Sequence, residues 1–124
     1  MSVRNVDGIK SMGPSRALTL QYYTAKNGKD YYREFLDTLD GQTSTKVQAQ
    51  VTKLAVGIGN VKTLANKLWE LKIDLGPGYR IFFTRRGNEI VLVLAGSDKS
   101  EQARIIRLAR RLLIEIEEIE REKK

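Results

Sequence analysis

The stretch LWELKIDLGPGYRIFFTRRGNEIVLVLA, residues 68 to 95, decides the fold. Its opening residues alternate, with Trp69, Leu71 and Ile73 apolar and Glu70, Lys72 and Asp74 charged. A period of two puts the first set on a buried strand face and the second on a polar one. Gly76-Pro77-Gly78 then turns the chain, and a second strand runs from Tyr79 to about Arg85. Arg85-Arg86-Gly87-Asn88 makes a hairpin connection to a third strand, Glu89 to Ala95. That strand, EIVLVLA, is apolar on both faces, which marks a central strand covered on both sides.

Downstream, Asp98 and Glu101 have capping-box spacing. They precede a helix with Ile105, Leu108, Ala109, Leu112, Ile116 and Ile119 on one face, whose end, EIEEIEREKK, outlasts the core. Upstream, ALTLQYYT (17 to 24) has strand formers, and Lys26-Asn27-Gly28-Lys29 is a turn signal. Asp30 can cap a short helix with Tyr32, Phe35, Leu36 and Leu39 on one face, ended by Asp40-Gly41. Thr43 or Ser44 starts a second helix with Val47, Val51, Leu54, Ala55 and Ile58 in a stripe, closed by Gly57 and Gly59. The order β-α-α-β-β-β-α predicts an α+β fold: a small, mostly antiparallel sheet, two N-terminal helices on one face and the C-terminal helix near the other. Residues 1 to 16, with Gly8, Gly13 and Pro14, read as a flexible N-terminal extension, and 17 to 124 as one domain.

Composition narrows the chemistry. The chain has 124 residues with no cysteine and no histidine. Thiol nucleophiles, thiolate ligands and the commonest general base are therefore excluded, and no metal or cofactor is expected. Any catalysis must use Lys, Arg, Tyr, Asp, Glu or Ser. No apolar run approaches the roughly 20 residues that span a bilayer, and no secretory h-region stands near the start, so a cytoplasmic location without membrane contact is expected. The formal charge of +7 is unevenly spread: residues 60 to 111 hold eleven Lys/Arg against five Asp/Glu. A field of that sign favours a polyanion, with nucleic acid first and an acidic protein second.

The excess charge coincides with the opening stretch. Arg80 shares a strand face with Phe82 and Thr84, while Tyr79, Ile81 and Phe83 point the other way. If its face coincides with the polar face of the neighbouring strand, Arg80 looks across at Glu70, Lys72 or Asp74. Such a group suits phosphodiester chemistry: a guanidinium fork on phosphate oxygens, a lysine adding charge, and a neighbour moving the attacking hydroxyl's proton. Simple cross-strand pairing of Arg80 with Glu70 or Asp74 fits the same spacing. Lys99 lies by a helix N-terminus, which favours an anion. Arg85 and Arg86, with Lys67 and Arg104, are candidates for gripping a nucleic-acid backbone. No P-loop, GxGxxG or metal-ligand cluster is present in the sequence.

Taken as a block, LWELKIDLGPGYRIFFTRRGNEIVLVLAGSDKSEQ resembles the RelE/ParE toxin superfamily, most closely its HigB-like, phage-derived or addiction module killer branch. The features that carry the likeness are GPGYR and AGSDKS, joined in order through a hairpin, and it extends over roughly residues 17 to 113. The resemblance implies a type II toxin, usually a ribosome-dependent endoribonuclease that cuts messenger RNA and is silenced by an antitoxin, whose complex binds operator DNA. It implies a catalytic or phosphate-binding role for Arg80, with Lys72 and Lys99 as the nearest matches for the supporting basic residues. Arg80 and Lys99 would then stabilise the phosphorane charge while Lys72 or Glu70 handles the proton. The same likeness extends to ParE-like members that bind DNA gyrase, and to attenuated toxins that serve as antitoxin-binding co-repressors.

Overall fold

The computed structural model describes residues 17–123, so the expectation for residues 1 to 16 falls outside the described residues. A five-stranded sheet forms the centre, in the order β1-β5-β4-β3-β2. The strands are β1 (Thr19–Tyr22), β2 (Asn60–Ala65), β3 (Leu68–Ile73), β4 (Tyr79–Arg86) and β5 (Ile90–Asp98). The helices are α1 (Tyr31–Asp37), α2 (Gly41–Lys53) and α3 (Gln102–Glu122). Strand β1 pairs parallel with β5, and the other pairings are antiparallel, so the expected mostly antiparallel α+β fold is present.

Alternation along the strands divides the core into two layers. Leu71, Ile73, Tyr79, Ile81, Phe83, Val91 and Val93 face α1 and α2, where they meet Tyr32, Val47, Val51 and Leu54. Leu68, Phe82, Leu92 and Leu94 face α3, where they meet Ile105, Ala109, Leu112, Leu113 and Ile116. Every residue from Val91 to Ser97 is buried, as a strand apolar on both faces requires. Helix α1 lies close against β5 at Gly96, where a Cβ would fall 2.4 Å from the Phe35 ring. Only glycine lets that helix settle so near the strand.

Several boundaries differ from the sequence expectation. Asp40 does not end α1; its carboxylate accepts the Thr43 N–H at 2.8 Å and so caps the start of α2, which begins at Gly41. Asp30 caps α1 as expected, accepting the Arg33 N–H at 3.0 Å. Ile58 leaves the α2 stripe because Gly57, in a left-handed conformation, ends the helical turn before it, and Ile58 is exposed. Strand β2 was not anticipated. It joins β3 through a two-residue turn, Asn66-Lys67, with positive φ at both positions, which matches the twist of a tight hairpin.

The acidic end of α3 is tied to the sheet side of the molecule. The Tyr23 hydroxyl donates to Glu115 at 2.8 Å and the Lys26 backbone N–H donates to the same oxygen at 3.1 Å. Burial, with that carboxylate beside it, pushes the Tyr23 hydroxyl up to about 12. Glu118 pairs with Lys26, and Glu120 pairs with Arg86 at the far end of β4. Among the described residues no helix is long and apolar enough to cross a membrane.

Candidate functional site

The register of β3 and β4 builds the site. Lys72 lies directly opposite Arg80, and Ser97 of β5 lies opposite Arg80 on its other side. Side chains directly opposite share one face, so Lys72, Arg80 and Ser97 are on the α3 face, and Glu70 stands diagonally across from Arg80. The polar face of β3 and the Arg80 face of β4 therefore coincide.

Past Ile73 the chain turns tightly through Leu75-Gly76-Pro77-Gly78, closed by the Gly78 N–H donating to the Leu75 carbonyl at 2.9 Å. Gly78 has φ +88°, a left-handed conformation that suits glycine, and a Cβ there would lie 3.7 Å from Arg80 Nη1. The Lys99 N–H donates to the Gly78 carbonyl at 3.1 Å, which extends the β4–β5 ladder by one step and pins Lys99 beside the same turn. Asp98 fixes the following turn: its carboxylate accepts the Ser100 hydroxyl at 2.7 Å and the Glu101 N–H at 3.1 Å. Those hydrogen bonds, the Ser100 hydroxyl first, hold the Asp98 carboxyl below its usual range. The result is an open pocket of about 380 Å³ lined by Lys72, Asp74, Gly76, Gly78, Arg80 and Lys99. Three cations and one carboxylate line it, so its field suits an anion.

Behind the pocket lies a buried polar network. Arg80 and Glu70 side chains are only 11% and 3% exposed, with Nε 3.6 Å from Oε2. At that distance they form an ion pair without a hydrogen bond, and Arg80 Nε has no hydrogen-bond partner among the described residues. The other Glu70 oxygen accepts the Gln102 side-chain amide at 2.9 Å, and Lys62 Nζ approaches to 4.0 Å. The Ser97 hydroxyl, also buried, has no hydrogen-bond partner among the described residues.

Of the residues singled out from sequence, Arg80, Lys72 and Lys99 converge on the pocket. Glu70 stands behind Arg80, enclosed by β3, β4 and the start of α3. The four candidate backbone contacts lie elsewhere. Arg85 and Arg86 are at the other end of β4, roughly 16 to 20 Å along the strand from Arg80. Lys67 sits in the β2–β3 turn, where its carbonyl accepts the Thr84 hydroxyl at 2.7 Å. Arg104 pairs with Glu101 and lines a separate groove between α1 and α3. Two residues of the network, Lys62 and Gln102, were missed. Lys62 lies on the unanticipated strand, directly opposite Glu70. Gln102 carried a signal, since it opens the amphipathic helix next to the Asp98 cap. No cluster of three or more carboxylates that could hold a metal occurs among the described residues.

Residues 34–120 match the family described as "Phage derived protein Gp49-like (DUF891)". An uncharacterized protein of Haemophilus influenzae is 33% identical over 76 residues, covering 60% of this chain and 77% of that protein. The family match runs from α1 to the end of α3 and so takes in Lys72, Arg80 and Lys99. On a fold arranged like a RelE/ParE toxin, this chain belongs to the phage-derived Gp49-like family.

Proposed function

We propose that this protein is the toxin of a type II toxin-antitoxin pair and acts as a ribosome-dependent endoribonuclease on messenger RNA. One observation carries this reading: Lys72, Arg80 and Lys99, from β3, β4 and the segment after β5, line one open pocket walled by Gly-Pro-Gly. Cleavage of RNA by its own 2′-hydroxyl passes through a phosphorane carrying extra negative charge. Fixed cations aimed at that charge lower the barrier without reorganising. Arg80 and Lys99 hold the phosphorane oxygens. As the 2′-oxygen bonds to phosphorus the bond to the 5′-oxygen breaks, and Lys72, which reaches the pocket while Glu70 is enclosed behind Arg80, handles the proton that passes from the 2′-hydroxyl to the leaving 5′-oxygen. A site with no histidine is sparsely equipped, and the ribosome would align the message for it. The cognate antitoxin would silence the toxin and carry it to operator DNA as a complex.

The test is cell-free translation with added protein, with the message mapped by primer extension. Cuts within codons, appearing only when the message is being translated, are the expected result. Intact message with failed DNA supercoiling would replace this reading with gyrase inhibition. Intact message with normal supercoiling, beside tight binding to a neighbouring gene product, would leave an antitoxin-binding co-repressor.

A further inference from the structure

We propose that Gln102 is a positioning residue that keeps the Arg80 guanidinium open to a phosphate by drawing the Glu70 carboxylate away from it; this rests on the reading of the pocket as a phosphate site. Two ion pairs in the molecule frame the inference. At the surface, Arg104 Nε donates to Glu101 at 2.7 Å, the ordinary length of a charge-assisted hydrogen bond. In the interior, where the attraction is stronger, Arg80 Nε and Glu70 stand apart at 3.6 Å. Burial alone would close the second pair more tightly than the first. Something holds it open.

The geometry supplies the restraint. Among the described residues the Glu70 side chain has one hydrogen bond, accepted from the Gln102 side-chain amide by Oε1 at 2.9 Å. Its other oxygen, Oε2, is shared between Arg80 Nε at 3.6 Å and Lys62 Nζ at 4.0 Å. Among the described residues Arg80 Nε is left without a hydrogen-bond partner, and Nη1 reaches only the Tyr79 carbonyl at 3.4 Å. The guanidinium is thus neutralised in charge while its donors are poorly used. Such a group has hydrogen bonds to offer an anion entering between Lys72 and Lys99. Without the Gln102 amide, the carboxylate is released to rotate and close both oxygens on Arg80, taking the donors a phosphate needs.

The experiment is nuclear magnetic resonance of the ¹⁵N-labelled full chain, following the Arg80 Nε–H signal with and without inorganic phosphate. In Gln102→Ala without phosphate, the Arg80 Nε–H proton signal should move downfield as the hydrogen bond to Glu70 forms. Phosphate affinity should fall on the order of tenfold, the scale of one charged hydrogen bond. In the double variant Gln102→Ala with Glu70→Gln, the competing carboxylate is gone and affinity should recover relative to Gln102→Ala. Gln102→Met, which fills the same space without an amide, should behave as Gln102→Ala does and guards against an effect of lost packing. An unmoved Nε–H signal in both single variants overturns the inference, whatever phosphate does. A tenfold loss that persists in the double variant also overturns it. If the signal moves as expected but wild-type protein shows no phosphate response at Arg80, the positioning by Gln102 stands and the phosphate reading falls.

Discussion

Strand β4 carries arginine near both ends, and the two ends keep opposite company. Arg80 is nearly enclosed, lies over a carboxylate that is 3% exposed, and opens on a pocket shared with two lysines. Arg86, beside the exposed Arg85, is 39% exposed and pairs with Glu120, 40% exposed, on the last turns of α3. One strand and one residue type thus give a cation-lined pocket at one end and a surface clasp at the other. The difference lies in depth and in what closes over each arginine. At the Arg80 end a glycine turn brings only backbone beside the guanidinium, whereas at the Arg86 end a helix carrying Glu115, Glu118 and Glu120 lies alongside and supplies a counter-charge.

The strongest way to break this contrast is to remove the carboxylate from each pair. Glu70→Ala leaves a buried arginine uncompensated and should cost about 3–5 kcal/mol in denaturant unfolding. Glu120→Ala should cost no more than about 1 kcal/mol, because both partners remain in water. Equal losses would mean that the Arg80 end is wetter than its burial implies.

A smaller effect tests the packing beneath each end. Gly96→Ala drives a methyl into the Phe35 ring and should destabilise by about 1–3 kcal/mol. Gly87, in the β4–β5 hairpin with φ +60°, has open space where a Cβ would stand, with nothing among the described residues within 4 Å. Gly87→Asn, which tolerates that backbone, should therefore stay within about 0.5 kcal/mol. Thermal unfolding of the two variants side by side checks the pair.

Next in size is the Asp98 cap beside Lys99. Its carboxyl is held below the usual range by the Ser100 hydroxyl and then by backbone N–H groups, so ionised Asp98 favours the folded state. That contribution is present above the unfolded carboxyl's pKa and is lost as pH falls through the folded one. Asp98→Ala should cost about 1 kcal/mol at neutral pH and flatten the acid limb of the stability curve. The smallest effect belongs to the Arg86–Glu120 pair: the difference between wild type and Glu120→Ala should shrink with added salt, by roughly 0.5 kcal/mol or less. Unfolding at low and high salt reads both outcomes.

The part of this contrast legible in the sequence follows periodicity. Alternation in LWELKID and the two-faced apolar run in EIVLVLA located β3 and β5, and with them the face on which Arg80 stands. What was not legible is register and edge structure. Strand β2 is exposed along almost its whole length, so NVKTLA shows no alternation and offers only Asn66 in a two-residue turn as a sign. Asp40 reads equally as the stop of one helix or the cap of the next, and only the Thr43 N–H decides. The Glu70–Gln102 bond links residues 32 apart in sequence, a contact that depends on where α3 crosses the sheet. The counter-charge on Arg86 depends likewise on the length and direction of α3.

The proposed function rests on the Arg80 end carrying the chemistry and the Arg86 end carrying none. Its most direct test is primer-extension mapping of messages in cell-free translation, run with wild type, Arg80→Ala and Arg86→Ala at matched concentrations. Loss of a group that stabilises the transition state should lower the cleavage rate by roughly 10² to 10³ in Arg80→Ala, with Arg86→Ala within a few-fold of wild type. Equal rates in the two variants, or cleavage that survives in Arg80→Ala and is lost in Arg86→Ala, would contradict it.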